Sequence, residues 1–133
     1  MKTDTNTNIA IVRRYFDAVA RGDLATVGST LADDIEWHQP GNSSLSGLHK
    51  GKEAVFALLG SFMQRSAGTF RIDHVGTLMA QGDLVTTTLH FRAERTGASM
   101  SMSGVDLLRI ADGQIREVWL FSEDQAAEDA FWA

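Results

Sequence analysis

The sequence predicts an α+β domain, a cone-shaped, curved antiparallel sheet wrapped around N-terminal helices and enclosing a pocket. Three observations carry this. Apolar residues recur at helical spacing up to about residue 68, the period then switches to that of strands, and turn-forming groups separate the strand-like runs. Helices followed by consecutive strands must bury one face of the sheet against the helices, and a long twisted meander folded over three of them can leave a conical cavity.

Each element has its own signal. Ile9, Val12, Phe16 and Val19 form the apolar stripe of a first helix, with Tyr15 on its flank and Gly22 as the stop. Residues 1–8, MKTDTNTN, precede that stripe with no apolar residue beyond Met1 and are expected to be a poorly ordered tail of a single domain spanning 1–133. Asp23 can cap a short second helix running to about Leu31. The stretch LADDIEWHQPG, 31–41, reads as a strand that runs into a loop rich in Gly, Ser and Asn. Val55, Leu58, Leu59, Phe62 and Met63 define a third helix from near Lys52 to near Gly68. Four strand-like runs follow, roughly 69–80, 84–95, 99–110 and 114–121, punctuated by Gln81-Gly82-Asp83, Thr96-Gly97 and Ala111-Asp112-Gly113. Ser122 with Gln125 has the form of a capping box for a last helix carrying Phe131 and Trp132.

Composition narrows the functional classes. A chain of 133 residues can bury a core without metals or disulfides, and 44% apolar with 22% charged residues is ordinary for a globular protein. There is no cysteine, so neither a disulfide framework nor thiolate chemistry, and a cytoplasmic location is expected. A net charge of −5 without a basic cluster argues against nucleic acid, and no apolar run is long enough to cross a bilayer. The expected partner is a small molecule or another protein chain.

Strand parity gives the sharpest chemical signal. Met100, Met102, Gly104, Asp106, Leu108 and Ile110 share one face by alternation, which puts a carboxylate among apolar neighbours. There it must be paired, hydrogen-bonded or kept neutral by a raised pKa. The alternative is that Val105 and Leu107 form the core face and Asp106 points to solvent.

Tyr15-Phe16-Asp17-Ala18-Val19, Arg21-Gly22-Asp23, Leu31-Ala32-Asp33-Asp34, Pro40-Gly41, Leu48-x-x-Gly51, Asp106-Leu107-Leu108-Arg109-Ile110 and Asp112-Gly113-Gln114-Ile115 occur in that order. Together they resemble the ketosteroid-isomerase-like and SnoaL-like polyketide-cyclase branch of the nuclear transport factor 2-like superfamily. The resemblance covers the chain from Ile9 onward. It implies a pocket wrapped by the sheet and a homodimer. It also implies that Tyr15 hydrogen-bonds a substrate oxyanion and that Asp106, held protonated, donates a second hydrogen bond.

The general base of ketosteroid isomerases is an aspartate immediately before the proline, and Gln39 stands there in this chain. A carboxamide cannot accept and return a proton near neutral pH. An unperturbed imidazole suits proton transfer near neutral pH and His38 is adjacent, but alternation sends it to the face opposite Trp37 and Gln39. Only a bulge or twist at the Pro40 turn would bring it inward, and otherwise it is a rim residue. Trp37, Gln39, Phe62, Met102, Val118 and Leu120 are the expected substrate-binding residues. Val118, Leu120 and Ser122 would face the pocket, with Trp119 and Phe121 on the opposite side.

Other templates are absent from the sequence. His49, His74 and His90 have no partner at ligand spacing, and no H-x-H, H-x-x-x-H or paired-carboxylate pattern suggests a metal or other cofactor. Gly47 to Glu53 has the wrong spacing for a phosphate loop and reads as the approach to the third helix, and no G-x-S-x-G elbow is present. Three functions therefore fit: an isomerase- or cyclase-type enzyme acting on a carbonyl, a non-catalytic binder of an apolar or phenolic molecule, and a dimerisation or protein-docking module. An epoxide-hydrolase relative would need an Asp-Arg-Asp set around a nucleophilic water, and nothing in the sequence makes Arg92, Arg109 and Asp106 converge.

Overall fold

The computed structural model describes residues 4–133, and helix α1 (Thr5–Arg21) begins earlier than its apolar stripe suggests. The Asp4 carboxylate accepts hydrogen bonds from the amides of Asn6 and Thr7, so the cap fixes the start although Thr5 to Asn8 are polar. The expected tail is thereby corrected over residues 4–8, while 1–3 lie outside the described residues. Gly22, at φ 67°, ends the helix with its amide on Ala18 and Val19 carbonyls, and Asp23 caps α2 (Leu24–Thr30) through the Thr26 amide.

The sheet consists of β1 (Leu31–Gln39), β2 (Gly47–Lys50), β3 (Arg71–Val75), β4 (Met79–Gln81), β5 (Leu84–Arg95), β6 (Ala98–Ala111) and β7 (Gln114–Ser122). Helix α3 (Lys52–Arg65) follows β2, and α4 (Gln125–Trp132) closes the chain. The spatial order is β2-β1-β7-β6-β5-β3, with β4 also on β5, so the sheet is unclosed. Register shifts in the β1·β7, β3·β5 and β6·β7 pairings accompany its curvature.

Two details depart from the sequence expectation. The run 69–80 divides into β3 and β4, and Gly47 to Lys50 forms a strand against β1 before α3 begins. The β1·β7 pair is parallel, whereas every other pairing is antiparallel. Alternation along a strand specifies which face a residue occupies but not which strand lies alongside.

Helix α1 packs over β3, β4, β5 and β7, α3 over β1 and β2, and α4 against β6 and β7. The core lies between these helices and the concave face, where Val12, Phe16, Val55, Leu58, Ile35, Val85, Leu108 and Ile115 are buried. Met102 and Val118 belong to that core.

Candidate functional site

Sheet curvature leaves a cavity between α1, α3 and the concave face. Its walls are aromatic and aliphatic, with Phe62, Phe70, Phe91, Leu59, Ile72, Leu89 and Leu120 among them. Phe62, Phe70 and Trp132 form one ring cluster with centroids 4.7 to 5.9 Å apart. Such walls exclude water and raise the energetic weight of any polar group set into them.

Tyr15 and Asp106 are two such groups. Tyr15 reaches the cavity from the buried stripe of α1, and Asp106 from the buried face of β6, as the alternation of Met100 to Ile110 requires. Only 3% of Tyr15 and 5% of Asp106 is exposed, and neither side chain has a hydrogen-bond partner among the described residues. Burial pushes the Asp106 carboxyl up to about 7. Burial, and secondarily the charge of Asp106, pushes the Tyr15 phenol well above its usual value, so it is a proton-bearing donor.

Gln39 also borders the cavity. Its side-chain oxygen accepts from the Trp37 indole nitrogen at 3.1 Å. An indole N–H only donates, so this bond fixes the amide orientation and leaves the NH2 as the group able to serve a ligand. Position 39 is therefore a further hydrogen-bond donor site where the resemblance would call for a base.

The remaining sequence candidates separate. Trp37, Phe62 and Leu120 border the cavity, whereas Met102 and Val118 are buried in the core without lining it. Their parity was right, since both are buried, but neither borders the cavity. His38 lies on the outer face, its ring stacked on Trp119 at 5.4 Å and its Nε2 2.7 Å from a Glu117 carboxylate oxygen. Alternation persists through the end of β1, so no bulge turns His38 inward, and the catalytic expectation for it is corrected. His49 pairs with the Leu45 carbonyl, and His90 lies between Asp73 and Ser101 on the solvent side. Arg92 and Arg109 are engaged with Asp73 and Glu117 and do not line the cavity. Phe121, expected on the opposite side, contributes to the cavity edge although 57% exposed.

Sequence reasoning missed Glu128. This α4 residue lines the cavity yet is 5% exposed, and accepts from Ser122 Oγ at 2.6 Å, Gln125 Nε2 at 3.0 Å and Trp132 Nε1 at 3.2 Å. Ser122 and Gln125 thus serve this carboxylate, and the helix cap is Asp124, which accepts from the Ala127 amide. Next to it, Asp129 accepts from the Asn42 amide, and a Cβ at Gly41 would collide with Asp129 and Gln125. Helix α4 therefore fastens both β7 and the loop after β1 at the cavity edge. The Gln125-x-x-Glu128 spacing was the available signal, since residues three apart share a helix face.

A curved open sheet over helices, with a donor-lined apolar cavity, defines the nuclear transport factor 2-like class of folds. Within it the chain belongs to the SnoaL-like domain family, whose model matches residues 12–118. An uncharacterised protein of Mycobacterium tuberculosis is 33% identical over 126 residues, covering 95% of this chain and 96% of that protein. A solved Xanthomonas campestris protein of unknown function with a cystatin-like fold is 48% identical, with TM-score 0.91, covering 95% of this chain and 98% of the other. An NTF2-like protein of Burkholderia xenovorans is 26% identical at TM-score 0.78, over 97% and 98% of the two chains.

Proposed function

We propose that the cavity binds a small, largely apolar molecule bearing a carbonyl and that the chain acts on it as an isomerase- or cyclase-type enzyme. The observation that carries this reading is the pair of buried, partnerless polar groups, Tyr15 and Asp106, in one aromatic cavity. Donors in a water-poor site strengthen most as a carbonyl oxygen gains charge, which lowers the barrier to an enolate.

The proton can travel in one of two ways. With Asp106 protonated, Tyr15 and Asp106 both donate to the developing oxyanion, and the α-proton leaves through water or a basic group of the substrate. With Asp106 ionised, its carboxylate removes the α-proton while Tyr15 donates to the oxygen. The enolate carbon then attacks a second carbonyl of the same molecule, and Asp106 returns the proton to the new alkoxide. A value of about 7 populates both forms near neutrality. Activity that falls above pH 7 identifies the donor form, and activity that rises identifies the base.

The fluorescence of a naphthol, titrated against pH, tests the reading, because a phenolate mimics an enolate. Wild type should bind it, and Tyr15→Phe and Asp106→Asn should each weaken binding by about tenfold or more. No binding, or equal binding by all three, would reject the enzyme reading. A second reading, a non-catalytic binder, is favoured by the Gln39 amide held as a donor by Trp37.

We also infer a homodimer through the outer face. Val105 lies beside Phe121 and Leu107 beside Trp119 on β6 and β7, giving an apolar patch on the solvent side. The same patch would serve a protein-docking role if the cavity carries no chemistry.

A further inference from the structure

The outer face holds a cluster that the cavity does not use. Glu36 and His38, two residues apart on β1, share the solvent side, and the parallel β1·β7 pairing sets Glu36 opposite Glu117. One ligand atom from each of Glu36, His38 and Glu117 lies within 4.8 Å of the other two, and all three residues are half-buried.

We propose that Glu36, His38 and Glu117 form a binding site for one divalent transition-metal ion per chain, cross-linking β1 to β7 and leaving one coordination position without a protein ligand.

The surroundings orient these groups as ligands. Arg109 Nε donates to Glu117 Oε1 at 3.4 Å, which leaves Oε2 as the oxygen turned toward His38. The Trp119 ring stacks on the His38 imidazole with only 4° between planes and fixes its direction. Outer groups that hold a ligand's carboxylate or ring in place are a general feature of metal sites. The Glu36 side chain has no hydrogen-bond or ion-pair partner among the described residues, although strand register sets it between Glu117 on β7 and Lys50 on β2. Two adjacent carboxylates with one imidazole nitrogen form a donor set that a cation can complete.

Nitrogen and carboxylate oxygen select borderline ions such as zinc or cobalt(II). Tetrahedral ligands at about 2.0–2.1 Å from zinc lie about 3.4 Å from one another. The His38 to Glu117 separation of 2.7 Å would open, and the wider pairs close, by movements within reach of half-buried side chains. Three protein ligands then leave a fourth position for water.

The experiment is titration of the purified full chain with zinc chloride by calorimetry, with cobalt(II) absorption reporting the ligand geometry. Wild type should take up one ion per chain and melt at higher temperature with zinc. His38→Ala, Glu36→Gln and Glu117→Gln should each weaken uptake by about tenfold or more. Metal-free melting curves and circular dichroism show whether each variant is folded, with His38→Gln replacing His38→Ala if the latter is not. Zinc binding no tighter in wild type than in the triple variant would overturn the proposal. So would uptake unaffected by the three substitutions, or one ion per two chains.

Discussion

Asp106 joins the stability of the molecule to its chemistry. Its carboxyl titrates near 3.8 when unburied and near 7 in the folded protein, so between those values the folded state binds more protons than the unfolded one. The contribution of Asp106 to stability therefore falls as pH rises from about 4 through about 7 and is gone about a unit above that. Asp106→Asn should abolish this slope and be more stable than wild type at pH 8, by up to about 4 kcal/mol, in urea unfolding at pH 5 and pH 8. Equal pH dependence of the two proteins would show that Asp106 ionises freely. Asp73 behaves oppositely. The hydrogen bond from His90 and, less strongly, the charges of His90 and Arg92 lower its pKa, so its contribution is lost only below the ordinary carboxylate range. Position 39 supplies the complementary prediction. Gln39→Asp should raise isomerisation of a small β,γ-unsaturated ketone by about a hundredfold or more, measured by absorbance. No gain, with the ketone shown to bind, would mean that position 39 does not meet Tyr15 and Asp106 on the substrate.

Among the elements, the short helix α4 ties two others together at the cavity edge. Its eight residues hold β7 through Glu128 and the loop after β1 through Asp129. Glu128→Ala would leave the buried Trp132 N–H without its acceptor and release Ser122 and Gln125. We expect it to cost about 2–3 kcal/mol in chemical denaturation and to weaken ligand binding. Unchanged stability would show that water replaces the carboxylate at no cost. The elements also show what the sequence could reveal. Helical spacing in α1 and α3 and the parity of β6 are local, so the buried face of Asp106 was legible from a single segment. Spacing put Tyr15 only on the flank of the α1 stripe, and the resemblance alone pointed it at the pocket. Parity also correctly sent His38 away from Gln39, and only the assignment of a catalytic role to it failed. The parallel β1·β7 pair and the meeting of His38 with Glu117 were not legible, because those residues are 79 positions apart and nothing in either segment names its neighbour. Glu128 escaped because its partners lie on β7 and α4, and one of them imitates a helix cap.

For the molecule as a whole, the two faces of the sheet divide the work. The concave face carries the cavity, while the convex face offers Val105, Leu107 and Trp119, with the exposed Phe121 reaching from the cavity edge. Light scattering after gel filtration should give twice the chain mass for wild type and the single mass for Leu107→Glu, with the cavity's ligand affinity kept. A wild-type monomer would remove the dimer from this account. No helix of the described residues is long and apolar enough to cross a membrane.

The parallel β1·β7 pair also governs the order in which the fold can be completed. The strand that begins at Leu31 waits for a neighbour that ends at Ser122, so most of the polypeptide must leave the ribosome before β1 gains that support. Until then the nascent chain holds Ile35 and Trp37 on an unfinished edge, a slow closure of distant segments during which it is most exposed to aggregation.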